Sequence, residues 1–466
     1  MSAPEKIKLR IEDVALRKAQ EAISKAIAAA DGRAYLVGGC VRDAALGIPA
    51  KDLDIEVYGV KPDALIEILS QHFRIDLVGK AFGVIKIYGL PIDVSIPRRE
   101  SKAGLGHKGF TILSDPEMAF KEAASRRDFT INAMVLDLLT GEIIDPFGGL
   151  RDLKEGVLRH TGEKFVEDPL RVLRGMQFVA RFDLEVAPET IALSRTIESE
   201  GLARERIFDE WRKLILKGIR PSRGLSFLLD CGWIRYYPEL ESLVGCPQDP
   251  GWHPEGDVWI HTLHCMDAFA QERTGDDLED LVVGLAVLCH DFGKPVKTEF
   301  KEGKTRSKGH EKAGEELTRS FLDRMTNQQD LIEAIVPLVS AHLRPKELFD
   351  AQAGDTAIRR LARHVGRIDR LVRVARADQL GRPQMPFDGF PAGQWLLERA
   401  RALEVEDSAP RPIVLGRHLI KLGLKPGPHF GRILEACYQA QIEGQFFTLE
   451  EGIELAKRLI DQKKLK

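Results

Sequence analysis

The sequence predicts an α+β domain followed by a nearly all-α body, and three observations carry that expectation. Within the first 150 residues, the strand-like runs Ala34–Val37, Leu53–Val60, Phe82–Tyr88 and Ile92–Ile96 surround a helical stretch from Pro62 to Phe73. From Leu153 onward the strand signals stop and long helical patterns dominate. Those patterns are punctuated at Pro221, Pro238, Pro247–Pro254, Pro345, Pro383–Pro391 and Pro410–Pro412, where a residue without an N–H ends or kinks a helix.

Taken in order, residues 11–30 place apolar side chains at helical spacing, and the Asp31-Gly32 pair ends that pattern before the first strand. Gly89-Leu90-Pro91 suits a hairpin link to Ile92–Ile96, in which Ile92, Val94 and Ile96 alternate with Asp93 and Ser95. The sheet domain ends near Gly149. A chain of 466 residues, 44% hydrophobic, fills two to four domains at about 100–200 residues each.

Lys plus Arg (68) nearly balances Asp plus Glu (71), so a polyanion must meet a local basic surface, because the net charge of −3 attracts nothing. Six scattered cysteines without a CxxC pair read as reduced thiols, neither a disulfide framework nor a zinc cluster. Residues 1–10 lack the apolar core of a signal peptide, and no run of about 18 apolar residues occurs. The expectation is a cytoplasmic protein with no membrane partner.

Leu36-Val37-Gly38-Gly39-Cys40-Val41-Arg42-Asp43 sets two glycines between a strand and a helix, where bare N–H groups can hold a phosphate. An ordinary strand-to-helix turn has the same look. Asp52-Leu53-Asp54 opens the next strand, and residues i and i+2 of a strand project to one face. Two carboxylates held that close repel unless a divalent cation neutralises them, and hard oxygen donors suit Mg²⁺. Two such ions activate an attacking hydroxyl and stabilise a leaving pyrophosphate. Asp93, facing away from Ile92 and Val94, is a candidate third acidic group.

Arg126-Arg127-Asp128-Phe129-Thr130-Ile131-Asn132 packs cations, a carboxylate and an amide beside apolar residues, a plausible triphosphate clamp through bidentate arginine, or a helix N-terminus with a solvated basic flank. Asp168, Arg171 and Arg174 recur every three residues after a helix start at Pro169 and share one face. Such a face reads the edge of a base, or forms an ordinary salt-bridge ladder.

Together these elements resemble the class II tRNA nucleotidyltransferase and bacterial poly(A) polymerase family, strongly over residues 34–230 and more loosely beyond. The resemblance implies a polymerase β-like nucleotidyltransferase head. It implies that Gly39 and Arg42 contact the nucleotide and that Asp52 and Asp54 hold the catalytic metals. It further implies that Arg127 and Asp128 bind triphosphate and ribose, and that Asp168, Arg171 and Arg174 act as an amino-acid template for CTP and then ATP. The substrate implied is tRNA, with no role for DNA. Arg98 to Lys102 and Gly104 to Phe110, glycine-rich and basic, look like the family's loop for switching from C to A addition.

His261, the pair His290-Asp291 and Asp378 lie on helical segments, and facing helices support imidazole and carboxylate ligands. A single buried histidine is more often a satisfied core residue. The wording around these four resembles the HD phosphohydrolase superfamily, with His310 and His342 spaced as its additional ligands often are. This implies a site for Ni²⁺, Co²⁺ or Mn²⁺ and a phosphatase or 2′,3′-cyclic phosphodiesterase activity. Leu422-Gly423-Leu424-Lys425-Pro426-Gly427-Pro428, with Arg417, Lys421 and Arg432 nearby, resembles the family's tail hairpin.

The expected organisation is an N-terminal helix (1–30), a head (31–150), a helical neck (151–245), an HD domain (246–400) and an RNA-binding tail (401–466). Two alternatives stand: a poly(A) polymerase or a CC-only or A-only enzyme, and an HD phosphohydrolase with a vestigial head.

Overall fold

The computed structural model describes residues 5–78, 83–102 and 110–461. It divides into two compact units, Met1–Gly201 and Leu202–Lys466. The glycine-rich segment Gly104 to Gly109 singled out above lies outside the described residues.

In the first unit the opening helix is Val14–Ala29, and Asp13 caps it by accepting the Leu16 N–H at 2.9 Å. This cap satisfies one of the donors that a helix start leaves without a partner. Asp31 then takes a left-handed φ of 58°, which turns the chain into the sheet.

The strands are β1 (Arg33–Val37), β2 (Leu53–Tyr58), β3 (Ile75–Val78), β4 (Val84–Ile87), β5 (Ile92–Ser95), β6 (Arg98–Lys102), β7 (Phe110–Ser114), β8 (Val135–Asp137) and β9 (Ile143–Ile144). Seven of them form a mixed sheet in the order β3-β4-β5-β2-β1-β8-β9. Its neighbours are antiparallel except for β2 and β5, which run parallel with Leu53 opposite Ile92 and Asp54 opposite Asp93. Strands β6 and β7 pair separately.

Alternation explains the sheet's polarity. Leu53, Ile55, Val57, Ile92 and Val94 are buried, while Asp54, Asp93 and Ser95 between them are not. The helix Val14–Ala29 packs on β1 and on the helix Pro62–Ser70. Tyr35, Val37, Tyr58 and Val135 form a second cluster with Phe120 and Ile144.

Strands β3, β8 and β9 were absent from the sequence expectation, as were β6 and β7, with Arg98–Lys102 expected as loop, and the short pairs Val157–Leu158 with Glu185–Val186 and Glu299–Lys301 with Lys304–Arg306. The last two pairs correct the view that strands stop at Leu153. Runs of two to four residues are too short for a two-residue period to register. After the sheet, the first unit continues through the helices Gly149–Glu155, Leu170–Phe182 and Pro188–Arg195.

Among the described residues, the second unit is helical apart from one hairpin. Its centre packs the helices Val258–Gln271, Asp277–Cys289, His310–Asp323, Gln329–Ala341 and Ile368–Leu380 against one another. Near its end, Val414, Leu419, Ile433, Cys437, Ala440, Phe446 and Ala456 make a separate small core under Gly416–Lys421, Pro428–Ile442 and Leu449–Asp461.

Gly149 shows how close this packing is. A Cβ there would lie 2.0 Å from the Thr130 carbonyl oxygen, a backbone atom of the turn that carries the clamp residues. Gly149→Ala is expected to destabilise the first unit by at least about 1–3 kcal/mol, read as a lower urea midpoint.

Candidate active site and metal centre

The head site is built from paired strands and one tight turn. Asp54 on β2 and Asp93 on β5 are Cα partners, with Asp52 one residue before β2. Lys86 on β4 lies opposite Asp93 and pairs with it at 3.4 Å. Partial burial, then the charges of Asp52 and Asp93, raise the Asp54 pKa, and Arg127 and Lys86 oppose the rise. Like charges in one place penalise ionisation, the condition that a bound cation relieves.

Of the two glycines in the turn, Gly38 needs its identity. Its φ is +74°, and a Cβ would lie 3.0 Å from a guanidinium nitrogen of Arg127. Gly39 begins the helix Gly39–Ala45. Arg127 thus lies over the Gly38 backbone and within electrostatic reach of Asp54.

Arg42, Asp128 and Arg174 are joined through Asn132 in one polar chain. Arg42 is buried at 3% exposure, its Nε and Nη2 donating to Asp43 Oδ1 at 2.9 and 2.7 Å and its Nη1 to Asn132 Oδ1 at 2.7 Å. Phe178 and Phe182 flank the guanidinium at 5.2 and 4.5 Å. Asn132 Nδ2 donates to Asp128 Oδ1 at 3.0 Å, and Arg174 Nε donates to Asp128 Oδ2 at 2.7 Å. Burial would raise the Asp128 pKa, but Arg174, the Asn132 amide and the Phe129 N–H together lower it. Asn132 is the link that the sequence reading gave no role, because nothing local marks an asparagine as a bridge.

Arg171 donates to the carbonyls of Lys164 and Arg126, both at 2.6 Å. Asp168 corrects the one-face expectation. It has an extended φ of −128°, stands ahead of the helix Leu170–Phe182 and accepts the Leu170 N–H at 3.1 Å. Its carboxylate closes the turn that leads into the helix carrying Arg171 and Arg174, whose N-cap is Pro169.

In the second unit, His261, His290, Asp291, His310, His342 and Asp378 meet at the ends of five helices. His261 Nε2 lies 3.1 Å from Asp378 Oδ1 and 3.8 Å from Asp291 Oδ2. His290 Nε2 is 3.2 Å from Asp291 Oδ2, and His310 Nε2 is 3.2 Å from Asp291 Oδ1. His342 Nε2 is 3.4 Å from His310 Nε2. Gly293 permits this approach, since a Cβ there would sit 1.9 Å from the His310 carbonyl oxygen.

The outward nitrogens fix the rings. His290, His310 and His342 each donate Nδ1–H to the carbonyl three residues back, on Val287, Ser307 and Val339, at 2.7, 2.8 and 2.7 Å. His261 and His253 both donate Nδ1–H to Glu255 Oε1 at 2.8 Å. The Nε2 atoms of His261, His290, His310 and His342 thus face the centre, where a bound ion would displace any proton they carry. His290 Nε2 has no hydrogen-bond partner, and the Asp291 oxygens meet only Lys294 and imidazoles in ion-pair contact. Burial opposes ionisation of Asp291, but His290 and Lys294 hold its pKa well below the usual carboxylate range. Burial, then the charge of His290, pushes His342 down to about 4. This donor set fits a divalent transition ion. Glu255, His253 and Lys294 escaped the sequence reading, since a loop glutamate and a lone lysine carry no spacing signal.

A cavity of about 560 Å³ opens on Asp291, His310, His342 and Asp378, with Trp252, Lys294, Lys346, Phe349, Arg382 and Phe390 on its walls.

A carboxylate-bearing sheet with an arginine clamp, joined to a histidine–aspartate helical centre, defines a nucleotidyltransferase head with an HD domain. Residues 34–159 match the poly A polymerase head domain, and residues 258–377 match the HD domain. The multifunctional CCA protein of Xanthomonas campestris is 37% identical over 420 residues, covering 88% of this chain and 97% of that protein. A CCA-adding enzyme of Bacillus stearothermophilus in complex with CTP superposes with a TM-score of 0.62 at 22% identity, covering 97% of this chain and 99% of that one. The Thermotoga maritima CCA-adding enzyme complexed with tRNA gives 0.57 at 21% identity, covering 99% and 100%; both likenesses speak to the fold. The chain belongs to the multifunctional CCA protein family and is a nucleotidyltransferase. Among the described residues, no helix is long and apolar enough to cross a membrane.

Asn132→Leu, close in shape, leaves Arg42 and Asp128 without their shared amide. The expected cost is about 1–3 kcal/mol of stability and a higher KM for nucleotide, measured by denaturation and steady-state kinetics.

Proposed function

We propose that the head adds C, C and A in turn to the 3′ end of tRNA, from CTP and ATP and without a nucleic-acid template. The observation that carries this reading is the side-by-side placement of Asp54 and Asp93, with Asp52 adjacent, beside Arg127 over the Gly38 turn. The names of the relatives, CCA proteins and CCA-adding enzymes, support the same substrate.

In this reaction the RNA 3′-oxygen bonds to the α-phosphorus, the bond to the β-phosphate oxygen breaks, pyrophosphate leaves and the hydroxyl proton passes to solvent. Asp52 and Asp54 would hold Mg²⁺, which when bound would supply activation of the hydroxyl and neutralisation of the leaving pyrophosphate. Arg127 holds phosphate oxygens through its forked donors. Asp128 sets Arg174 in place, Arg42 fastens Asn132, and Gly39 leaves the turn open to the nucleotide. Asp168 steadies the turn into the helix whose Arg171 and Arg174 read the base edge. Their guanidinium groups are anchored before any nucleotide arrives, so selection meets fixed donors rather than mobile ones.

The HD centre is read as a metal-dependent phosphohydrolase acting on phosphorylated or 2′,3′-cyclic RNA ends, which block extension by the head. A transition ion, when bound there, would supply an activated water. His261, His290, Asp291 and Asp378 hold it, His310 and His342 share Asp291, and Lys294 offers a cation to the phosphate. We place both activities in the cytoplasm, and the tail 401–466 on the tRNA.

With end-labelled tRNA lacking CCA, addition is expected to stop after three nucleotides. A long ATP ladder, or a stop after CC, would replace this reading with polyadenylation or a split role. Asp52→Ala and Asp54→Ala are expected to lower the rate by at least about 100-fold without changing thermal unfolding; full activity in either would remove the assignment. Metal analysis of His290→Ala protein is expected to show loss of one transition ion, and full retention would make the HD histidines structural.

A further inference from the structure

Cys265 stands one turn after His261 on the helix Val258–Gln271, fully buried, with its Sγ 3.3 Å from His261 Nε2 and 3.9 Å from the Asp378 carbonyl oxygen. The Sγ and the ligand atoms of His261, His290 and Asp378 all lie within 4.8 Å of one another. A sulfur and an imidazole nitrogen bound to one tetrahedral ion, at about 2.3 and 2.0–2.1 Å, stand about 3.5 Å apart. The observed separation is close to that. A second observation points to the same place: His290 Nε2, on a side chain 1% exposed, reaches into it with only the 3.2 Å ion-pair contact to Asp291 and no hydrogen bond of good geometry. Gly381 backs the thiol, since a Cβ there would lie 2.2 Å from the Sγ and 3.1 Å from His261 Cε1. The end of the Asp378 helix therefore presses against the sulfur and leaves it little room to turn away from the site.

We propose that Cys265 is a metal ligand, adding a soft donor to the His261, His290, Asp291 and Asp378 set so that it selects a thiophilic divalent ion such as Zn²⁺ or Co²⁺. The proposal rests on the reading of the HD domain as a metal centre and adds a soft donor to its histidines and aspartates. Thiolate sulfur prefers Zn²⁺ and Co²⁺ over Mg²⁺ and Ca²⁺. The metal–sulfur bond forms as the thiol gives its proton to solvent. His310 and His342 remain as neighbouring donors beyond Asp291. The scattered cysteines, read from sequence as plain thiols, thus include one with a partner set that only the fold assembles.

The full-length chain, stripped of metal by chelation, is titrated with one equivalent of Co²⁺ as probe. Visible d–d bands report binding, and a near-ultraviolet sulfur-to-cobalt charge-transfer band reports a Cys ligand. The expected result is a charge-transfer band in the unaltered protein and in Cys246→Ser, whose sulfur contacts Thr298 instead, and its loss in Cys265→Ser and Cys265→Ala with thermal unfolding unchanged. Zn²⁺ binding in the two Cys265 variants should weaken by at least about 10-fold, since losing a mere outer partner already costs about 10–100-fold. Visible bands without a charge-transfer band, or a charge-transfer band that survives both Cys265 variants, would overturn the proposal. No bands of either kind would overturn the metal-centre reading itself, and the proposal with it.

Discussion

The repulsion between carboxylates that strand pairing forces together is the constraint around which the head is arranged. Asp54 and Asp93 are held as neighbours by the backbone hydrogen bonds of two parallel strands, so they cannot separate without breaking the sheet. Their side chains stay on the open face because Leu53, Ile55, Ile92 and Val94 are committed to the buried one. Lys86 and Arg127 temper the repulsion without removing it. A fold that retains such a conflict retains a place for a cation, and stability alone would have favoured neutral residues there.

The same logic recurs in the second unit by different means. Imidazoles and carboxylates converge from five helix ends, and the hydrogen bonds that orient them come from the helix carbonyls of Val287 and Val339, from the Ser307 carbonyl ahead of a helix and from Glu255. Each unit thus builds its site on regular structure. In the head the rigid element is a strand pair, and the Arg42–Asn132–Asp128–Arg174 chain extends that rigidity to the Leu170–Phe182 helix. A disturbance at Asp43 or Asn132 would therefore be felt at Arg174, through contacts between neighbours at every step.

The legible parts were those whose signal is local. The Asp52-x-Asp54 spacing, the Gly-Gly turn, the three-residue recurrence of Arg171 and Arg174, and the His290-Asp291 pair can be read without knowing what lies opposite. The α+β head and helical body were readable for the same reason, because hydrophobic periodicity is local. Asp93 could be suspected but not paired with Asp54, since register between non-consecutive strands is a long-range property. Arg42 looked like a nucleotide contact in the motif, and only the distant Phe178, Phe182 and Asn132 show how deeply it is buried. Glu255 and Cys265 were invisible because their chemistry depends on a partner chosen by packing.

Three imidazoles in the HD centre are tied by Nδ1 to their own backbone three residues back. The rotamer freedom each ring would lose on capturing an ion is therefore surrendered when the helices form, long before capture. Immobilising a side chain at the moment of binding costs about 0.5–1.5 kcal/mol, and here that cost falls on folding. Occupancy and fold are coupled in one direction as a result: the helices set the rings whether or not an ion is present, so the empty and loaded proteins should share one backbone, and the centre can exchange its ion without unfolding to do so.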